Sequence, residues 1–260
     1  MTGFAAHLAS ADEIEGGFAF DITDDWLQGR TAYGGLTSAL SLAAAQRVDA
    51  ELPPLRSGQF AMIAPLAGRV EARARIVRKG RNATWVAAEL ANEKGVGFSA
   101  SFVFMRSAES AADIAGYAMP QGVTPVTAAK PVPMDHAPAF LRENFEARFA
   151  LPKSALGEAD LCWWVRVRER DGLDPALEAV LVGDALPTAV LPLLGFRVPI
   201  SSMHWHVNML EAAPASEDGW WLLRSTSEFA HGGGASEHIL QWNGAGRPVI
   251  AGMQSVAVFG

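Results

Sequence analysis

Apolar and polar residues alternate most plainly from Arg69 to Val77, where Val70, Ala72, Ala74 and Ile76 interleave with Arg69, Glu71, Arg73 and Arg75. A period of two is the mark of a strand with one buried and one wet face. The turn RKGRN (Arg78 to Asn82) follows, then a second strand, ATWVAAEL, a second turn, ANEKG, and a third strand, VGFSASFVF, with Phe98, Ala100, Phe102 and Phe104 on one side. This predicts an antiparallel meander. Another extended run, RSGQFAMIAPL, precedes it, and before that Gly34 and Gly35 open an alanine-rich segment in which Leu36, Leu40 and Ala43 or Ala44 recur at helical spacing. A glycine pair at a helix mouth has two readings, a tight packing corner or a place where a ligand oxygen meets free helix amides, and the glycines alone do not choose.

The same order recurs in the second half. DLCWWVRVRER alternates like a strand, and Asp174 as N-cap with Pro175 at the first helical position opens a helix, DPALEAVLVGDAL, that Pro187 should end. SSMHWHVNML then stands where RSGQFAMIAPL stood, WWLLRSTSEF follows, and NGAGRPVIAGMQSVAVF closes the chain as NEKGVGFSASFVF closed the first half. Ser57 to Ser201 is a shift of 144 and Asn92 to Asn243 one of 151. A near-constant shift with matching element order signals a duplicated domain. The expected units are residues 1–110 and 153–260, joined by a Pro- and Ala-rich linker, 111–152, without sustained periodicity.

The copies differ in polarity at positions that should be buried, and a polar group there costs free energy unless it is paired or used. Leu177, Leu181 and Asp184 fall at i, i+4 and i+7, so a carboxylate shares the apolar stripe of the second helix. Its counterpart at a shift of 144 is Leu40. Gln254 alternates with Ile250, Val256 and Val258 on the last strand, and its counterpart at 151 is Val103. On the strand after the second helix, Ser202, His204, His206 and Asn208 are expected on one face and Met203, Trp205, Val207 and Met209 on the other.

The chain has 260 residues, enough for a large core, and is half hydrophobic and 19% charged, which excludes a disordered chain. Its net charge of -7 argues against a nucleic-acid surface. The opening MTGFAAHLASADE lacks the features of a leader, and no apolar run is long enough to span a bilayer, so a cytoplasmic protein without a membrane partner is the expectation. The single cysteine, Cys162, lies beside Trp163 and Trp164 and reads as a buried thiol.

One helix cradled by a curved antiparallel sheet, duplicated and fused, is the α+β layout called the double hotdog. FDITDDWLQGRTAYGGLTSAL, LRSGQFAMIAPLAGRVEARARIVRKGRN, VGDALPT and GMQSVAVF, in that order, resemble the acyl-CoA thioesterase II family and its thioesterase-like relatives. The resemblance implies hydrolysis of an acyl-CoA thioester with no cofactor and no metal. It implies catalytic roles for an Asp, a Ser or Thr and a Gln, which map to Asp184, Ser202 (or its neighbour Ser201) and Gln254. Asp184 would act as general base on a water held by Gln254 and Ser202, or as a nucleophile through a short-lived anhydride. A thiol with a pKa of about 8.5 leaves with little help from an acid. Amides near Gly34, Gly35 and Leu36 would supply an oxyanion hole and an apolar channel between the halves would take the acyl chain, while Arg78, Lys79 and Arg81 are candidates for the CoA phosphates or a hairpin tip made basic for solubility. By analogy the chain would form a homodimer of double hotdogs.

Four rival readings stand beside this one. HGGG (His231 to Gly234) resembles an esterase oxyanion loop, but no G-x-S-x-G elbow follows it, so it reads as a hairpin bend. His204-x-His206 could hold a metal with His231 or His238, though without a carboxylate at recognisable spacing. A hotdog hydratase or dehydratase would be favoured by His204 or His206 near Asp184, and a non-catalytic acyl-thioester binding protein would keep the channel and show no turnover.

Overall fold

The computed structural model describes residues 3–114, 116–195 and 198–259, so the outer ends of the two expected units, Met1 and Gly260, lie outside the described residues. The first half carries α1 (Phe4–Ala9), β1 (Asp12–Ile14), β2 (Gly17–Ile22), the small hairpin of β3 (Leu27–Gln28) and β4 (Thr31–Ala32), then α2 (Gly34–Gln46), β5 (Leu55–Met62), β6 (Gly68–Lys79), β7 (Ala83–Asn92) and β8 (Gly95–Met105). The second carries α3 (Ala139–Asn144), β9 (Phe145–Phe149), β10 (Asp160–Val167), α4 (Pro175–Gly183), β11 (Ile200–Met209), β12 (Trp221–His231), β13 (Gly234–Asn243) and β14 (Pro248–Val258).

Among the described residues twelve strands form one antiparallel sheet in the order β1-β2-β6-β7-β8-β5-β11-β14-β13-β12-β10-β9. Its two halves repeat the same order outward from the β5–β11 seam, which makes the protein a double hotdog. Pairing from Ala61 opposite His204 to Ser57 opposite Asn208 fuses the halves, and Phe60 and Trp205 pack across the seam with ring centroids 5.2 Å apart. A pair of this kind contributes about 0.5–1.5 kcal/mol beyond the area it buries. The HGGG stretch is a hairpin bend: His231 ends β12 opposite Gly234, and Gly232 and Gly233 take φ of 60° and 82°.

Both helices lie on the inner face of the sheet and against each other. α2 is buried from Gly35 to Ala45 rather than along one stripe, because it has the sheet on one side and α4 on the other. α4 starts where its sequence predicts: the Asp174 side chain accepts from the Ala176 and Leu177 amides, both at 3.0 Å, with Pro175 following. Such a cap is worth about 1 kcal/mol. The helix ends earlier than Pro187, at Gly183, with Asp184 as its C-cap. A Cβ on Gly183 would lie 3.0 Å from both Trp205 and Gln241, so the chain leaves the helix where it is pressed hardest onto the sheet.

The stretch 111–152 is more than a connector. Val123, Val126 and Ala129 cover Cys162, Trp164, Trp220 and Trp242 on the outer face of the second half-sheet, with Trp164 donating to the Thr124 carbonyl at 2.8 Å. This explains the two Trp-Trp pairs, since Trp163 and Trp221 fill the inner core while Trp164 and Trp220 sit under the cover. Burial pushes the Cys162 thiol up to about 12, so it is inert packing. The stretch then crosses to the inner side, where α3 and β9 form. Its lack of periodicity reflects irregular backbone that packs on both faces.

Candidate active site

The glycine pair marks where the N-terminus of α2 meets the C-terminus of α4. A Cβ on Gly35 would stand 2.5 Å from the Leu181 carbonyl oxygen and from the Tyr33 ring, and one on Gly34 would stand 2.5 Å from Asp184 Oδ2. Tyr33 fastens the junction by donating its hydroxyl to the Leu181 carbonyl at 2.8 Å. Gly35 permits close packing, and Gly34 makes room for the Asp184 carboxylate.

Asp184 is partly exposed and opens onto a cavity of about 800 Å³ that it lines together with Gly34, Thr37, Met62, Ser202 and Gln254. Gln254 Nε2 donates to Asp184 Oδ1 at 2.9 Å. Burial pushes the Asp184 carboxyl up to about 7, with the negative charge of Glu237 adding to the rise, while the bonds from Gln254 and from the Gly35 backbone N–H pull the other way. The same burial, with Asp184 nearby, raises the Tyr33 hydroxyl well above its ordinary value.

Ser202 reaches this cavity because of a β-bulge. On β11, Ser202 stands opposite Val256 and His204 opposite Ser255, which leaves Met203 as an extra residue. Residues directly opposite one another in an antiparallel pair share a face. Ser202 therefore joins Val256 and Gln254 on the inner side, and the expected face of Ser202, His204, His206 and Asn208 is broken after its first member. His204 and His206 oppose Ser255 and Met253 and are exposed on the outer side, away from Asp184. No imidazole from this strand can partner the acid. Among the described residues no group of three or more His, Cys, Asp and Glu side chains could hold a metal ion. Ser201 lines the cavity too, but it is exposed and pairs with Ala257.

Gln254 also corrects a register. Inward residues of β8 are Phe98, Phe102 and Phe104, all buried, whereas Val103 points outward between two of them. The shift of 151 is off by one residue here, and with a period of two that reverses the face. The residue that Gln254 replaces is an inward phenylalanine.

Among the amides expected as an oxyanion hole, Leu36 N–H is occupied by the Tyr33 carbonyl at 3.0 Å and Gly35 N–H lies beside the Asp184 carboxylate. Gly34 N–H has no hydrogen-bond partner among the described residues. The basic hairpin of Arg78, Lys79 and Arg81 lies elsewhere. Lys79 is ion-paired with Asp49, just beyond the C-terminus of α2, while Asp184 lies at the N-terminus of that 13-residue helix. A helix of that length separates its ends by about 20 Å. A second cavity, of about 1020 Å³, adjoins the first at Pro65 and is lined by Arg30, Arg69 and Lys94 along with Glu71 and Glu93.

Several cavity residues have no counterpart in the sequence reading. Val132, Phe140 and Leu141 form a wall from the segment expected as linker, with the Phe140 ring stacked 4.0 Å from Tyr33. Glu237 is a buried carboxylate on β13. The alternation of Ala235, Glu237, Ile239 and Gln241 placed it in phase with core residues, by the logic that singles out Asp184.

Residues 120–258 match the family model described as the acyl-CoA thioesterase C-terminal domain, and residues 22–105 match that described as the acyl-CoA thioesterase N-terminal domain. Among solved structures, a conserved hot dog fold protein of unknown function from Alicyclobacillus acidocaldarius superimposes with a TM-score of 0.86 at 17% identity, over 100% of this chain and 99% of its own. A protein provisionally described as a thioesterase II from Thermobifida fusca YX gives 0.82 at 22% identity over 99% and 98%. An acyl-CoA thioesterase II from Mycobacterium marinum gives 0.76 at 18% over 98% and 97%. No curated protein matches the sequence.

Proposed function

The chain belongs to the acyl-CoA thioesterase family, and from that premise we propose that it hydrolyses an acyl-CoA thioester to the free acid and the thiol with Asp184 as general base. The observation that carries this reading is the carboxylate itself. It is desolvated and held by Gln254 at 2.9 Å, and it stands on the wall of a largely apolar cavity beside an unpartnered helix amide. An acid raised to about 7 is half ionised near neutral pH, where it can both accept a proton and return it.

In the proposed reaction a water is held by the Gln254 carbonyl oxygen and the Ser202 hydroxyl. Asp184 takes one of its protons as the oxygen attacks the thioester carbon. The carbonyl oxygen becomes an oxyanion facing the Gly34 N–H, the first amide of α2, where the positive end of the helix dipole favours negative charge. Collapse breaks the carbon–sulfur bond, the thiolate departs, and the proton on Asp184 is returned to it. The acyl chain lies along Phe98, Phe140 and Trp163. Arg30 and Lys94, in the cavity that adjoins at Pro65, meet the phosphates of the carrier, in place of the hairpin cations.

Release of free thiol from a panel of acyl-CoAs tests the proposal. Hydrolysis by the native chain that is lost in Asp184→Asn supports it, and no thiol from any chain length overturns it. A single turnover in ¹⁸O-water tests the other chemistry: label in the Asp184 carboxyl means an anhydride opened by water on its Asp184 side.

A further inference from the structure

Glu237 is 1% exposed on the inner face of β13, between Ala235 and Ile239 in phase. Its Oε1 accepts from the Thr188 hydroxyl and, at 3.1 Å, from the Ala189 N–H, and its Oε2 accepts from the Ser225 hydroxyl at 3.1 Å. No basic side chain pairs with it among the described residues. Burying an acid without a cation is costly, and a core that needed only packing would place an apolar residue there.

Two features of its placement point at the reaction. Thr188 and Ala189 belong to the chain that leaves Asp184, and Ala185, Leu186, Pro187 and Thr188 of that chain wall the cavity. Strand register also sets Glu237 directly opposite Gln254, the residue that holds the base. The acid thus grips the segment after Asp184 from one side and backs its hydrogen-bond partner from the other.

We propose that Glu237 is a positioning residue for the reaction at Asp184: it clamps the cavity wall through Thr188 and Ala189 and acts on the base electrostatically across Gln254. The inference rests on the reading of Asp184 as the base. The groups around the pair come from every packed element: Tyr33 from the start of α2, Asp184 from the end of α4, Ser225 from β12 and Gln254 from β14. Arg224, next to Ser225, is turned to the outer face, where it holds Asp160 at 2.7 Å. Asp184 and Glu237 are therefore the two acids of this cluster, and their like charges disfavour joint ionisation. Burial pushes Glu237 up to about 7 as well, in the range where Asp184 also exchanges its proton.

The test compares the native chain with Glu237→Gln and Thr188→Val, using the pH profile of kcat/KM on an acyl-CoA and the ¹³C NMR titration of the Asp184 carboxyl. Glu237→Gln removes the charge and keeps an acceptor, so both the acid limb and the Asp184 titration should move to lower pH by roughly one unit, the order expected for like charges separated by one side chain. Thr188→Val loosens the clamp with the acid in place and should lower kcat about tenfold. A folded Glu237→Gln chain whose Asp184 titrates as in the native chain overturns the electrostatic part, and native kcat in Thr188→Val overturns the clamp. Should Glu237→Gln fail to fold, Glu237→Asp keeps the charge: a native acid limb with reduced kcat is then expected, and unchanged kcat overturns the proposal. The titration requires no turnover, so it reports on Glu237 even where Asp184→Asn shows that the base has been misassigned.

Discussion

Gln254 donates its Nε2 to Oδ1 of Asp184 across 2.9 Å, joining the last strand of the second hotdog to the end of that unit's helix, beside the first amides of the other unit's helix. The bond fixes the orientation of the carboxylate and leaves the Gln254 carbonyl oxygen free to accept from a water. In the proposed reaction, losing Asp184 removes proton abstraction, whereas losing the Gln254 amide removes only orientation. Asp184→Asn should therefore reduce kcat about 10³-fold or more, and Gln254→Ala about 10²-fold, with the far-ultraviolet dichroism of both unchanged. Equal effects from the two, measured by thiol release, would contradict this division of roles.

The position of Asp184 also sets a pH signature, because the proposed reaction needs it ionised. With the carboxyl near 7, kcat/KM should climb tenfold per unit below about pH 7 and level off above it. The stability effect has the opposite sense. Folded-state values of about 7 for Asp184 and Glu237 lie above the ordinary 3.8 and 4.5 of such carboxyls, so the folded chain binds more protons than the unfolded one between roughly pH 4 and 7. Their favourable contribution is complete below about pH 4 and is lost as pH rises through 7. Asp184→Asn should therefore raise Tm at pH 8, by about 2–4 °C for a stabilisation near 1 kcal/mol, and the gain should vanish below about pH 4. Scanning calorimetry at the two pH values checks both signs.

Gly34 and Gly35 separate catalysis from packing. An alanine at Gly34 brings its Cβ to 2.5 Å from the Asp184 Oδ2 and 3.0 Å from the flexible end of Met62, so side chains yield and the carboxylate shifts. An alanine at Gly35 meets the Leu181 carbonyl, which is backbone, and the Tyr33 ring that is fastened to it. Gly34→Ala should keep its Tm within a few degrees of the native value and lose about 10²-fold in kcat, and Gly35→Ala should lose roughly 2–4 kcal/mol of stability. Chemical denaturation alongside turnover measures the contrast.

The parts of this design that were legible in the sequence are those set by local periodicity. Alternation along β6 and β8, the Asp174–Pro175 helix start and the repeated element order follow from short-range rules, and so does the mismatch of Asp184 with its apolar stripe. What stayed hidden depends on pairing between strands. The bulge at Met203 decides that Ser202 faces the cavity and His204 does not, and a one-residue error in the internal shift moved the counterpart of Gln254 to the wrong face. Phe140 escaped notice because cavity walls built from irregular chain carry no period. Glu237 had a period that could have been read, since it falls in step with Ile239.

The last prediction concerns the end of the substrate that undergoes no chemistry. Arg69 is neutralised by Asp12 and Asp21, and Glu71 by Arg73, which leaves Arg30 and Lys94 as cations without an ion pair among the described residues, with Glu93 as the opposing charge in the cavity. An acyl-CoA whose thioester lies at Asp184 would extend past Pro65 into this second cavity, while the hairpin of Arg78 and Arg81 stands at the far end of α2. Charge-assisted contacts to phosphate are worth about 1.5–3 kcal/mol each when well formed and less on an open surface. The pair Arg30→Ala with Lys94→Ala should therefore raise KM for an acyl-CoA about tenfold, while the same acyl group on pantetheine, which lacks the nucleotide, is turned over as before. Arg78→Ala with Arg81→Ala should change neither. Reduced activity on both thioesters in the first pair would mean a general defect, and a KM effect from the hairpin pair would return the phosphates to that end of the helix.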